Sequence, residues 1–265
     1  MNTTQVYEGI INALKVASEN ISNEPEIVKT AIDEINKINL PGNIKRQTGF
    51  CHQKPYALFV DPKEINQYKR TELGDLMFVV KFINRGECID YRTLFFQAKY
   101  DKDFKKFKIE KHQQRFYSEI EKIDFKFGNK VYSDGNIEPI IWKHLTSAEN
   151  FGDYFLIGSG RALDVGLTCI NSQYDPSGNQ FSFDIRQHYH IAPRHFSFGW
   201  EFQRPLLSFL SPYGKGNKVE GLLKIFTELI YKKLGMIADP PEEHQGYWEE
   251  DPSGFGVVEF TFVEE

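Results

Sequence analysis

Residues 72–99, ELGDLMFVVKFINRGECIDYRTLFFQAK, contain the clearest structural signal in the chain. Apolar residues alternate over two faces from position 76, with Leu76, Phe78, Val80 and Phe82 on one face and Met77, Val79 and Ile83 on the other. Because both faces are apolar, this segment is expected to be a central strand covered on both sides. Asn84-Arg85-Gly86 then predicts a three-residue hairpin loop with glycine in the left-handed conformation. The stretch therefore predicts two adjacent antiparallel strands.

A three-residue loop also fixes the register of the hairpin, and it places Asp75 opposite Phe95. Residues that lie opposite each other share a face, as do residues two apart on one strand. Asp75, Gln97 and Lys99 are therefore expected on the same side of the sheet. A two-residue loop would change this parity and move Asp75 to the other face. The sequence thus predicts that three polar groups converge at one end of an apolar hairpin.

The composition indicates a soluble globular protein, because 40% of its 265 residues are hydrophobic and 26% are charged. A net charge of −5 argues against a uniformly basic surface for non-specific nucleic-acid binding, although local basic patches are compatible with it. The three cysteines, Cys51, Cys88 and Cys169, form no CxxC pair, which argues against a disulfide framework or a structural zinc site. The chain begins without signal-peptide features and lacks an apolar stretch of ~18 residues. We therefore expect a cytoplasmic protein without a membrane segment.

The remaining pattern predicts an α/β order in the first part of the chain. Its expected elements are helices at 5–19 and 25–38, a strand at 56–60, the hairpin, a lysine-rich segment at 100–111 leading into a helix, and a strand at 124–127. Ile109, Phe116, Tyr117 and Ile120 are expected to face the core from that helical region. The second part predicts strands at 154–157, 162–170, 181–191 and 255–263, with helices at 200–210 and 219–234.

Gly74-Asp75, the hairpin, Gln97-Ala98-Lys99 and the basic segment before a helix resemble the PD-(D/E)xK nuclease superfamily. The resemblance is to the QxK variant of Mrr-type restriction and phage-defence nucleases, and it covers roughly residues 25–130. It implies a restriction-endonuclease-like core of helix, three strands, helix and strand within residues 1–130. Residues 131–265 would form a C-terminal α+β region of unknown role. The alternative is that this region is continuous with the first.

The resemblance also implies a Mg²⁺ or Mn²⁺ site at the end of the hairpin. Asp75 would be the anchoring ligand, Gln97 would offer an amide oxygen, and the main-chain carbonyl of Ala98 would be a further ligand. A single carboxylate provides few ligands and little negative charge for a divalent cation, so a second carboxylate is expected. Glu34 on the preceding helix is the first candidate for that catalytic and metal-binding role, and Glu72 is the local alternative.

Lys99 would orient or help deprotonate the attacking water and stabilise developing charge. A basic run follows it and has two open interpretations, a solvated face or a path for a phosphate backbone; its members are Lys102, Lys105, Lys106, Lys108, Lys111 and Arg115. Gln113 and Tyr117 lie on the helix after the motif, where packing is the favoured interpretation.

The resulting hypothesis is a Mg²⁺-dependent endonuclease that acts on nucleic acid, with DNA favoured over RNA, in bacterial restriction or phage defence. The C-terminal region would mediate a homodimer or contact a partner protein. A second hypothesis is a nuclease fold that has lost catalysis and serves as a binding or assembly module. The missing carboxylate keeps this alternative open.

Overall fold

The computed structural model describes residues 3–60, 68–119, 125–127, 140–142, 151–187, 204–236 and 248–264. The helices are α1 (Thr3–Ser18), α2 (Glu24–Ile35), α3 (Lys111–Glu119), α4 (Leu167–Asn171), α5 (Pro205–Phe209) and α6 (Gly221–Lys233). The first strands are β1 (Ile44–Val60), β2 (Tyr68–Glu72), β3 (Leu76–Asn84), β4 (Glu87–Tyr100), β5 (Lys106–Glu110) and β6 (Phe125–Phe127). The later strands are β7 (Ile140–Trp142), β8 (Gly152–Gly158), β9 (Arg161–Val165), β10 (Gln180–Asp184), β11 (Asn217–Lys218) and β12 (Trp248–Glu264).

The fold is mixed α/β with a central mixed sheet. Within the described ranges this sheet has the order β7-β6-β1-β12-β3-β4-β8-β9, with β2 paired to β1 and β11 paired to β4. Strand β12, at the end of the sequence, lies between β1 and β3 and runs parallel to β3. Strand β8 runs parallel to β4 on the other side of the hairpin. Strands from both predicted regions therefore lie in one sheet.

The predicted two-faced character of β3 is confirmed. Leu76, Phe78, Val80 and Phe82 pack in one buried cluster, to which helices α1, α2 and α5 contribute. Met77 and Val79 pack in a second cluster on the opposite face, to which α3, α4 and α6 contribute. The strands β5 and β10 form a separate two-stranded ribbon that also buries its apolar side in the second cluster. A central strand with both faces covered needs apolar residues on both faces, and in β3 they occupy positions 76–80, 82 and 83.

The predicted hairpin loop is wrong in length. Asn84 pairs with Glu87, so the loop has only two residues, Arg85 and Gly86, and both have positive φ, at 49° and 83°. Such a turn suits the right-handed twist of the flanking strands. Ile89 is then bulged, because Phe82 pairs with Asp90 and Ile83 with Cys88. The bulge adds one residue to β4 and so restores the parity that the shorter loop would have changed.

The register beyond the bulge is shifted relative to the predicted one. Leu76 pairs with Phe96, and Phe95 lies opposite Met77 rather than opposite Asp75. This register brings Asp75 next to Gln97. Because the two errors compensate, Asp75 and Gln97 still share a face, as the sequence predicts.

Several other element boundaries differ from the predicted ones. Residues 106–110, expected to lead into a helix, form β5 and pair with β10, so Ile109 is buried from a strand. The predicted strand at 162–170 ends at Val165, and helix α4 begins at Leu167. The short strand β6 pairs with β1 and does not lie beside β4. Residues 120, 124, 188–191 and 200–203 of the predicted elements lie outside the described residues.

The residues at the start of α2 and after α6 are types that favour helix ends. Pro25 lies in the first turn of α2 together with Glu24 and Glu26, whose charges suit the positive end of the helix dipole. Gly235 follows α6 with a φ of 66°, the conformation that commonly ends a helix. Among the described helices, no segment is both long and apolar enough to cross a lipid bilayer.

Candidate active site at the end of the β3–β4 hairpin

The Asp75 carboxylate lies at the start of β3, where it is buried with a relative exposure of 6%. Its Oδ2 accepts a hydrogen bond from the main-chain N–H of Ala98 at 2.7 Å and another from the side-chain amide of Gln97. Its main chain also continues the sheet, because its N–H donates to Phe96 and its carbonyl accepts from Gly256. Asp75 is thus fixed by the neighbouring strands on both sides.

The polar contact extends from the sheet to helix α3. Nε2 of Gln113 donates to Oε1 of Gln97 at 3.1 Å, so a carboxylate and two amides form one continuous chain of hydrogen bonds. Gln97 and Gln113 have exposures of only 2% and 5%. Oε1 of Gln113 is buried and has no hydrogen-bond partner among the described residues. A buried acceptor without a partner is unusual in a folded protein.

Tyr117 supports this polar chain from the next turn of α3. Its hydroxyl donates to the carbonyl of Leu73 at 2.6 Å, two residues before Asp75. The ring lies so close to Gly152 that a Cβ at that position would be 2.6 Å from the ring carbon Cζ. Gly152 therefore allows the start of β8 to approach the helix. The result is a close, rigid attachment of α3 to the end of the hairpin.

The surroundings of Tyr117 carry several acidic groups. Burial raises the pKa of its phenol well above the ordinary value, and the neighbouring Tyr154, Asp75, Asp153 and Glu72 act in the same direction. Tyr117 consequently stays protonated and remains a hydrogen-bond donor. Asp75 and Glu72 are therefore both close enough to Tyr117 to affect the pKa of its hydroxyl group.

Asp153 is a further buried carboxylate near Tyr117, and it forms an ion pair with Lys215. Its Oδ1 accepts the N–H of Leu167 at 2.8 Å, and Nζ of Lys215 lies 2.7 Å from its Oδ2. Burial raises the pKa of Asp153, whereas Lys215 opposes that shift. This ion pair ties the loop before β11 to the start of β8. Asp153 is therefore a structural carboxylate in this arrangement.

The residues proposed for the second carboxylate occupy different places. Helix α2 packs on the sheet face of Leu76 and Phe78, opposite to the face of Asp75 and Gln97. Glu34 on this helix pairs with Lys37, with Oε1 2.6 Å from Nζ. The sheet thus lies between the packed face of helix α2 and the side chain of Asp75, and the role of Glu34 as the second carboxylate stays a prediction. Glu72 ends β2, three residues before Asp75.

Ala98 and Lys99 complete the sequence motif. Ala98 presents its N–H to Asp75, whereas the sequence hypothesis assigned a role to its carbonyl. Lys99 is half-buried and lies two residues beyond Gln97, which places both side chains on one face of β4. Its neighbour on β8 is Leu156. Lys99 therefore lies on the same side of the sheet as the polar chain.

The basic run divides into an outward-facing and an internal part. Its exposed members are Lys102, Lys105, Lys106 and Lys108. Lys111 is buried and donates to the carbonyl of Ser177, while Arg115 pairs with Glu119 at 3.3 Å. Lys111 and Arg115 thus stabilise the fold locally. The four exposed lysines are the part of the run that is available to a phosphate backbone.

The side chains of the site contain oxygen atoms, which are the ligands that a hard cation prefers. Mg²⁺ prefers oxygen ligands and keeps several waters, so it needs few protein groups. Asp75 supplies a carboxylate, and both Gln97 and Gln113 carry amide oxygens in the same buried chain. Within the described residues, no group of three or more His, Cys, Asp and Glu is placed to hold a metal ion.

Comparison with protein-family models, with curated proteins and with solved structures finds no match to this chain.

Asp75 and Gln97 were predicted from the sequence as site residues, whereas Gln113 and Tyr117 were expected to have only a packing role. Their separation by four positions on a helix was the available signal, because it places both on one face of α3. Gly152 and Tyr154 carried no comparable signal, since their proximity depends on the pairing of β8 with β4.

Proposed function

We propose that the protein is a metal-dependent nuclease that hydrolyses phosphodiester bonds, with DNA as the favoured substrate and restriction or phage defence as its setting. The observation that carries this proposal is the convergence of Asp75, Gln97 and the Ala98 main chain at the end of one hairpin. This is the juxtaposition that the QxK pattern requires. Lys99 follows on the same face.

The connectivity around the site supports the same proposal. After the hairpin β3–β4 the chain forms β5, α3, β6 and β7 and then β8, which is parallel to β4. If β2, β5, β6 and β7 are treated as additions, then α2, β1, the hairpin, α3 and β8 follow the order helix, strands, helix and strand expected of a restriction-endonuclease-like core. In this assignment β8 takes the last position that the sequence had given to residues 124–127.

The chemistry assigns a separate task to each side chain. A bound Mg²⁺ supplies positive charge for the phosphate and makes water more acidic. Asp75 would hold that ion, with Gln97 as a neutral oxygen ligand and Glu72 as the second carboxylate. The ammonium of Lys99 orients the attacking water and stabilises negative charge as the water oxygen bonds to phosphorus and the bond to the leaving oxygen breaks. The exposed lysines at 102–108 hold the phosphate backbone.

The direct test is cleavage of plasmid DNA and of RNA in Mg²⁺ or Mn²⁺. We expect Asp75→Ala and Lys99→Ala to lose cleavage by about 10²- to 10³-fold. Lys45→Ala is the matched control, because Lys45 is an exposed lysine on β1. Wild-type protein that cleaves neither substrate, or cleavage that is equal in all variants, would overturn the proposal.

A catalytically inactive binding module is the second candidate. It is favoured by the small ligand set, since no group of three metal-binding acids, histidines or cysteines occurs in the described ranges. A binding module would retain nucleic acid without cleaving it. In that case Lys106→Ser and Lys108→Ser should weaken binding and reduce its dependence on salt, whereas Asp75→Ala should not.

A further inference from the structure

The hydrogen bonds that link Gln113, Gln97 and Asp75 all run in one direction. Each amide donates towards the sheet: Gln113 donates to Gln97, and Gln97 donates to Asp75. Gln97 consequently presents its nitrogen, rather than its oxygen, to the carboxylate. At the far end, Oε1 of Gln113 is buried without a partner among the described residues.

A cation at Asp75 needs the opposite orientation of Gln97. An amide nitrogen carries two hydrogens and offers no electron pair to a metal, so only Oε1 is a ligand. Rotation of the Gln97 amide by half a turn brings Oε1 towards Asp75 and points Nε2 at Gln113. Gln113 then has to present an acceptor. The acceptor that it has available is Oε1, the atom that now lacks a partner.

A glutamine pair is suited to such a reversal. Two facing amides form one hydrogen bond in either direction, because each has a donor end and an acceptor end. The two arrangements therefore differ at Asp75 and at the far end, where Nε2 of Gln113 replaces its Oε1 as the buried atom without a partner. At Asp75 an amide N–H attracts the carboxylate, whereas an amide oxygen repels it unless a cation lies between them.

We propose that Gln113 is a positioning residue that allows Gln97 to change from a hydrogen-bond donor to a metal ligand through a paired rotation of both amides. Metal binding is thereby coupled to helix α3, although Gln113 does not contact the ion. This inference rests on the proposed function, since it takes a divalent cation at Asp75 as its starting point.

The orientation of Gln97 can be measured directly by NMR on protein with ¹⁵N-labelled glutamine. Without metal, the Gln97 side-chain NH₂ should show nuclear Overhauser contacts to the β protons of Asp75. Addition of Mg²⁺ should remove these contacts and create contacts to the γ protons of Gln113. An amide of Gln97 that stays on Asp75 in saturating Mg²⁺ would overturn the inference.

Substitutions at position 113 test the same reversal through affinity for Mn²⁺, followed by the loss of its free EPR signal. Gln113→Glu can only accept, so it should favour the ligand orientation and bind Mn²⁺ about tenfold more tightly. Gln113→Lys can only donate, so it should hold the unloaded orientation and weaken binding about 10- to 100-fold. In Gln113→Glu, moreover, the Gln97 amide should contact residue 113 even without metal.

The substitutions Gln114→Glu and Gln114→Lys control for the effect of the added charge alone. That side chain is equally buried, but its amide donates to Ser118 and Asn171 instead of Gln97. Equal effects of Gln114→Glu and Gln113→Glu on Mn²⁺ affinity would overturn the positioning role while the metal site stands. Wild-type binding no stronger than that of Asp75→Ala would instead overturn the proposed function, and the inference with it. The NMR measurement on wild-type protein decides the matter if a variant fails to fold.

Discussion

Gln97 donates its side-chain amide to the Asp75 carboxylate across the ends of two neighbouring strands. The two residues lie 22 positions apart, and the contact depends on a two-residue turn and a bulge that together set their register. This contact therefore defines the site, and substitutions there should alter metal binding and folding stability together.

Gln97→Glu should make folding depend on metal. The change places a second carboxylate beside Asp75, and adjacent buried carboxylates raise the pKa of one of the pair. The folded state then binds a proton more tightly than the unfolded state, so stability should be lost as pH rises through the raised pKa. At pH 7 we expect a loss of about 1–3 kcal/mol in the free energy of unfolding. Urea denaturation with and without Mn²⁺ measures this, and a loss that Mn²⁺ does not restore would contradict a metal site.

Gly152→Ala should destabilise the attachment of α3. The new Cβ would lie 2.6 Å from Cζ of Tyr117, and overpacking of this kind costs about 1–3 kcal/mol. Tyr117→Leu in the same protein should recover part of the loss, because it removes the ring from the contact. Gly42→Ala is the control, since a Cβ there meets no atom within 4 Å. Thermal denaturation of the four proteins forms the comparison, and equal melting temperatures for the two alanine variants would refute the close approach.

Arg92→Met should be strongly destabilising. Nε of Arg92 lies 3.1 Å and 2.9 Å from the two carboxylate oxygens of Asp90, and the other nitrogens donate to carbonyls of Phe209, Ser211 and Lys215. Removal leaves a buried carboxylate uncompensated, which costs about 3–5 kcal/mol. The exposed pair of Lys105 with Asp103 offers the contrast, because Lys105→Met should cost below about 1 kcal/mol. Urea titration of both variants tests the difference.

Asp164 should give the protein a pH-dependent stability. Burial raises its pKa to about 6, although hydrogen bonds from Tyr7 and Leu206 favour the ionised form. Since the folded state binds the proton more tightly, the stabilising contribution is complete below the unfolded pKa of about 4 and is lost as pH rises through about 6. The shift corresponds to about 3 kcal/mol at 1.36 kcal/mol per unit.

This pH dependence is isolated by subtracting the unfolding free energy of Asp164→Asn from that of the wild type between pH 4 and pH 7.5. The difference should fall with rising pH. Tyr7→Phe removes the donor at 2.7 Å from Oδ1, so its transition should move to higher pH. A difference that is flat across this range would show that Asp164 does not titrate as inferred.

The sequence by itself determined the elements around the site, because alternation is a local property. The apolar residues of β3 occur on both of its faces, and this predicted a covered central strand before any partner was known. The same period of two placed Asp75, Gln97 and Lys99 on one face. The loop length and register were predicted wrongly, since Arg85 with positive φ and the bulge at Ile89 are settled by the twist of the paired strands.

The tertiary structure alone decided which distant segments complete the sheet and the site. Strand β12 enters between β1 and β3, and β8 lies beside β4, although neither position follows from a local pattern. It also packed helix α2, which carries Glu34, on the face of the sheet opposite to Asp75, and it brought Gln113 into hydrogen-bonding contact with Gln97. The physical reason is that closing a long loop costs only slightly more than closing a short one. The choice among distant partners therefore depends on collective packing, which no single stretch of the chain encodes.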